Sequence, residues 1–137
     1  MLVVLSVERE VRTVAGAGRR VIVVDDDDSV RDSLAFLLET AGYTVDGFSS
    51  PMQCLLAMQP GTRACLVVDQ HMPEMTGLEF LAELQRRGLF LPAVLITGSP
   101  SPDLVQRASA LDVQMVMPKP LLEDDLLRFV AAVLGDD

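Results

Sequence analysis

Cys65-Leu66-Val67-Val68-Asp69, followed by Gln70-His71-Met72-Pro73-Glu74-Met75-Thr76-Gly77, is the stretch that decides the fold. A short apolar run leads straight into an acid and then into turn residues. That pattern predicts a strand over 64–69, buried on both faces inside a sheet. Asp69 then falls at the strand's carboxyl end, where open α/β sheets place their ligands. Taken alone, the acid is either a reactive group or a solvated loop charge.

The flanking sequence repeats the pattern. Val21-Ile22-Val23-Val24 is another buried-strand run, and it ends in Asp25-Asp26-Asp27-Asp28. Ser29 fits the cap of a helix in which Val30, Leu34, Leu37, Leu38 and Ala41 recur at helical spacing, and Gly42 fits its stop. Tyr43–Phe48 alternates as a second strand. Ser50 and Pro51 open a helix expected to reach about Gln59, ahead of the Pro60-Gly61 break. Beyond the 64–69 strand, Thr76 and Glu79 form a capping box for a helix that Gly88 ends. Pro92–Thr97 predicts a fourth strand, and Ser101-Pro102-Asp103 opens a helix to about Leu111. Val113–Met117 predicts a fifth strand, and Pro120 the start of a last helix carrying Leu122, Leu126, Phe129, Val130 and Val133.

Strands alternating with helices, each strand read as apolar on both faces, give an α/β fold. It is a doubly wound, five-stranded parallel sheet with right-handed crossovers and helices on both faces. The expected strand order is 2-1-3-4-5, the flavodoxin-like arrangement, whose switch point between strands 1 and 3 sets Asp25 and Asp26 beside Asp69. Residues 20–135 form this domain. Residues 1–19 show no tie to it and read as an N-terminal extension, with Ala15-Gly16-Ala17-Gly18 as a flexible breaker.

Composition narrows the function. At 137 residues and 50% hydrophobic, the chain is long enough for one domain with a full core. A net charge of −9 argues against direct nucleic-acid binding, which needs a basic face. Met1–Leu5 is too short an apolar run for a signal or membrane segment, so no membrane partner and a cytoplasmic location are expected. Cys54 and Cys65 sit among apolar neighbours and read as reduced core thiols. Lys119 is the only lysine; the other ten cationic side chains are arginines.

Three kinds of group converge at the carboxyl ends of the strands. Asp25 and Asp26 end strand 1, Asp69 ends strand 3, Thr97 ends strand 4 and Lys119 follows strand 5. Carboxylates about 4 Å apart repel by about 4 kcal/mol per pair at an effective dielectric of about 20. A hard dication relieves that repulsion, and an oxygen-only set with open water positions suits Mg²⁺, with Mn²⁺ as a possible substitute. Lys119 offers a compact positive charge to a further anion, and Thr97 a neutral hydroxyl. Phosphoryl transfer to a carboxylate is the chemistry this set suits. His71, the one histidine, has no carboxylate partner by spacing and reads as a loop side chain with possible influence on water access. Asp27 and Asp28 read as helix-start acids.

These residues resemble a response-regulator receiver domain, the CheY-like module of two-component signalling, and its FixJ-type branch most. The matching pieces are Val23–Asp27 with Val30-Arg31 and Ser33-Leu34, Val67-Val68-Asp69 with Met72-Pro73 and Gly77, Leu95–Gly98, and Lys119-Pro120. The intervals are 44 residues from Asp25 to Asp69, 28 to Thr97 and 22 to Lys119, and the resemblance covers roughly 20–134. It implies that Asp69 takes a phosphoryl group from a sensor histidine kinase or phosphotransfer protein. Asp25, Asp26, Asp69 and the backbone carbonyl of His71 would hold Mg²⁺. Thr97 would be the switch hydroxyl and Lys119 the cation that pairs with the phosphoryl group, while Pro73 and Gly77 shape the loop beside the acceptor. The domain would not be a conventional enzyme, but would catalyse its own phosphorylation and hydrolysis. It would signal to an output domain or downstream protein, with a homodimer through the fourth helix, fifth strand and fifth helix as a further expectation.

Two departures stand out. Val116 occupies the switch position three residues before the lysine, where the family usually carries an aromatic ring. Ala110-Leu111 replaces the family's glycine-alanine pair. Valine is small and stiff at χ1, so the usual ring swing is unavailable. Two alternatives follow: a phosphorylation-independent receiver-fold scaffold or dimerisation module, motivated by Val116, and a haloacid-dehalogenase-type phosphatase. The second is weakened by His71, which stands where those enzymes carry a second aspartate.

Overall fold

The computed structural model describes residues 19–135; the expected N-terminal extension, residue 19 apart, lies outside them. The elements run β1 (Arg20–Val24), α1 (Asp28–Thr40), β2 (Thr44–Phe48), α2 (Pro51–Ala57), β3 (Cys65–Asp69), α3 (Gly77–Arg86), β4 (Ala93–Thr97), α4 (Pro102–Ala110), β5 (Met115–Pro118) and α5 (Glu123–Leu134). The strands form one parallel sheet in the order β2-β1-β3-β4-β5, as expected.

Alternation along the central strands divides the core into two layers. Ile22, Val24, Leu66, Val68 and Leu95 point into one layer, closed by α2, α3 and α4. Val23, Val67, Val94 and Ile96 point into the other, closed by α1 and α5. Cys54 belongs to the first layer and Cys65 to the second, so the sheet separates the two free thiols. Burial pushes both up to about 12.

The edge strands depart from the expectation of burial on both faces. Every residue of β3 and β4 is buried, whereas β2 and β5 are half-covered and Met115 is exposed. An edge strand has one neighbour, and short edges with exposed positions are the ordinary outcome.

Three helix boundaries also need correction. Asp27, not Ser29, caps α1: its carboxylate accepts the Val30 N–H at 3.1 Å. Helix α2 ends at Ala57 because a turn captures Gln59, whose N–H donates to Thr62 Oγ1 while its carbonyl accepts from that hydroxyl. Helix α5 begins at Glu123, after a cis Lys119–Pro120 bond, with Glu123, Asp124 and Asp125 in its first turn. The Thr76–Glu79 capping box of α3 and the Ser50 and Ser101 caps form as read.

Candidate functional site

The parallel register brings the carboxyl ends of β1, β3, β4 and β5 to one edge of the sheet. Val24 pairs with Val68, Asp69 with Ile96, and Thr97 with Pro118. Asp25, Asp69 and Thr97 thereby sit at adjacent strand ends, with Lys119 one residue beyond β5.

Backbone bonds continue the ladder past the strands and fix these positions. The Asp25 N–H donates to the Phe48 carbonyl, Gln70 N–H to Ile96, and Lys119 N–H to Thr97. The β1–α1 turn is tied from two sides. Asp25 Oδ1 accepts the Asp27 N–H at 2.9 Å, and the Asp25 carbonyl accepts from Arg31 Nη1 at 2.9 Å. Arg31 is anchored in turn by Asp28 at 2.6 Å.

Asp25 and Asp69 are each 3% exposed, whereas Asp26 is open to solvent. One carboxylate oxygen from each of the three lies within 4.8 Å of the others. Burial, opposed by the Asp27 amide and reinforced by the Asp69 charge, raises the Asp25 carboxyl above its ordinary value. Lys119 Nζ reaches Asp69 Oδ1 at 2.9 Å, and its side chain is 40% exposed. Contact with Asp69 above all, helped by the Asp25 and Asp26 charges, holds the lysine above its usual range against a smaller opposing effect of burial.

Beyond its 2.9 Å ion pair with Lys119, Asp69 Oδ1 is buried and accepts no hydrogen bond among the described residues. A buried carboxylate oxygen held only by an ion pair, within an all-oxygen cluster, is the donor chemistry a hard dication selects. The residues present therefore fit Mg²⁺: Asp25, Asp26 and Asp69 could hold it, with Lys119 on the same Asp69 carboxylate.

The loop after Asp69 is closed by Gln70, whose carbonyl accepts the Gly77 N–H and whose buried side-chain oxygen accepts the Leu78 N–H, each at 3.0 Å. This draws the start of α3 against β3. A Cβ on Gly77 would stand 2.6 Å from the Asp69 carbonyl oxygen and 2.7 Å from Leu95 Cδ1, so only glycine fits. Glu74, inside the loop, adopts a left-handed φ of 76°.

Two contacts were not visible in the sequence. The His71 ring Nε2 lies 3.2 Å from Thr97 Oγ1, bridging 26 positions, and Arg31 clamps the Asp25 carbonyl. Strand order 3-4 makes the first pairing possible, because the residues just past β3 and at the end of β4 become neighbours. Val116 is half-buried and packs against the α2–α3–α4 layer of the core. Among the described residues, no helix is long and apolar enough to cross a membrane.

Comparison with known proteins agrees with this geometry. The family model described as response regulator receiver domain matches residues 21–131. The transcriptional regulatory protein FixJ of Azorhizobium caulinodans is 40% identical over 113 residues, covering 82% of this chain and 54% of its own length. Nodulation protein W of Bradyrhizobium diazoefficiens is 33% identical over 117 residues, covering 85% of this chain and 52% of its own. The chain thus spans about half the length of these curated relatives. Among solved structures, the Vibrio cholerae chemotaxis protein CheY4 superposes with a TM-score of 0.79 at 29% identity, covering 86% of this chain and 100% of that one. The response regulator StyR gives 0.79 at 36% identity, over 84% of this chain and 58% of its own. With the strand order, the acidic cluster and the paired lysine already in place, the chain belongs to the response-regulator receiver domains of two-component systems.

Proposed function

We propose that this domain accepts a phosphoryl group on Asp69 from a sensor histidine kinase or phosphotransfer protein and thereby changes how it binds its partners. The observation that carries this reading is Asp69 itself: buried, within 4.8 Å of two further carboxylates, and paired at 2.9 Å with the only lysine. Asp25, Asp26, Asp69 and the His71 backbone carbonyl are the proposed ligands of Mg²⁺, which when bound would neutralise charge on the carboxylates and on the transferring group. The protein's own part is positioning. An Asp69 oxygen attacks phosphorus in line, the donor's imidazole or acetate departs with the bonding electron pair, and Asp69 becomes an acyl phosphate. Lys119 exchanges its contact with the carboxylate for one with a phosphoryl oxygen. Thr97, fully buried at the neighbouring strand end, provides the hydroxyl that meets another.

The same reading assigns residues 20–135 to the receiver and residues 1–19 to an extension, in a cytoplasmic protein that hydrolyses its own phosphoaspartate rather than turning over a metabolite. The output would lie in a further domain or a separate protein. Exposed Val105 on α4 and Met115 on β5 support a homodimer face there. Val116 packed on the core leaves no ring to swing, so the read-out would run through displacement of the β4–α4 and β5 backbones around Thr97.

Incubation with Mg²⁺ and acetyl phosphate, followed by intact mass measurement, tests the central step. One phosphoryl adduct is expected in the unaltered protein and none in Asp69→Asn. An unmodified mass in both would refute the proposal.

A further inference from the structure

Thr97 is already engaged in the resting domain. Its hydroxyl oxygen accepts the Ser99 N–H at 3.0 Å and lies 3.2 Å from His71 Nε2. A threonine hydroxyl has one hydrogen to donate and two lone pairs to accept with, and Ser99 takes up one of the latter. In the resting domain the backbone on either side is held as well, since the Thr97 carbonyl accepts from Lys119 N–H at 2.9 Å and Gln70 N–H holds the Ile96 carbonyl. The hydroxyl hydrogen turns freely about the Cβ–Oγ1 bond, so its direction is set by the acceptor that holds it.

We propose that His71 is a positioning residue: in the resting domain its Nε2 accepts the Thr97 hydroxyl hydrogen and so holds it away from Asp69. This rests on the reading of Thr97 as the hydroxyl that meets the phosphoryl group. His71 is exposed, so in the tautomer that the arrangement requires its Nδ1–H can be met by water. Phosphorylation of Asp69 presents a charged acceptor, and a hydrogen bond to a charged oxygen is about twice as strong as one to a neutral ring nitrogen. The latch is thus released by phosphorylation and restored by hydrolysis. It sets how readily the switch turns on without taking part in phosphoryl transfer.

The chain has a single histidine, so a two-bond ¹H–¹⁵N spectrum reads the latch directly in the intact protein. Nε2 is expected to be an unprotonated, hydrogen-bonded acceptor in the free protein. On addition of Mg²⁺ and beryllofluoride its resonance should move to the position seen in ligand-free Thr97→Val. Removing a competing hydrogen bond of ordinary strength should tighten beryllofluoride binding by about 2- to 10-fold in His71→Ala. That gain should vanish when His71→Ala is combined with Thr97→Val. A protonated Nε2 in the free protein, a resonance that ignores beryllofluoride, or an equal gain in both backgrounds would overturn the latch alone. Failure of the unaltered protein to bind beryllofluoride would overturn the phosphoacceptor reading beneath it.

Discussion

Gly77 and Asp69 approach so closely that a single added carbon would stand 2.6 Å from the Asp69 carbonyl oxygen. The contact falls on backbone, which cannot step aside as a side-chain tip can. Alanine at this first position of α3 gains under about 1 kcal/mol of helix propensity, which the overlap exceeds. Gly77→Ala should therefore destabilise the domain by about 1–3 kcal/mol, read from urea unfolding followed by circular dichroism. Unchanged stability would mean that β3 and α3 separate more easily than their hydrogen bonds through Gln70 indicate.

Asp25 is held above its ordinary value of 3.8, chiefly by burial. A carboxyl raised in the folded state contributes stability below its unfolded pKa and loses that contribution as pH rises through the folded value. In the absence of divalent cations, Asp25→Asn should therefore be the more stable protein at neutral pH, by a margin that shrinks toward pH 3. Asparagine keeps an acceptor for the Asp27 N–H, so the turn is not sacrificed. Glu83, lowered to about 2 by Arg86 and Arg87, has the opposite dependence, which is why the comparison is between the two proteins at each pH. Magnesium should raise the melting temperature of the unaltered protein and have little effect on Asp25→Asn.

Lys119→Ala removes the cation from the Asp69 carboxylate. The rate of adduct formation with acetyl phosphate should fall about 100-fold, the usual consequence of losing one preorganised charged donor. Lys119→Arg should recover little of it, because a planar guanidinium does not occupy the place of a compact ammonium. Intact-mass time courses decide between these outcomes.

Both thiols should be silent in the folded protein. Cys54 and Cys65 have no exposed surface and are pushed up to about 12. Iodoacetamide at pH 8 should label neither until denaturant is added, and then both. Rapid labelling under native conditions would show that the core opens locally around α2 or β3.

Much of this was legible in the sequence, and the parts that were not have a common cause. β3 and β4 were readable because burial on both faces leaves an unbroken apolar run, and the site followed from the polar residue at the end of each run. Thr76 and Glu79 announce α3 because each satisfies the other's backbone donor. The start of α1 was ambiguous, since five consecutive residues from Asp25 to Ser29 all carry side chains able to cap. Leu122 gives α5 no capping side chain at all. The His71–Thr97 and Arg31–Asp25 contacts depend on where side chains reach in a folded loop, which neither periodicity nor spacing records.

Lys119 is the protein's only lysine, and it sits on the carboxylate proposed to carry the signal. Apart from the chain's own α-amine, every reagent that seeks a primary amine must therefore report on that one location. Acylation, reductive methylation or an amine-directed fluorophore becomes a site-specific label without any engineering. The extent of such labelling, compared with and without magnesium, measures how accessible the pocket's cation remains.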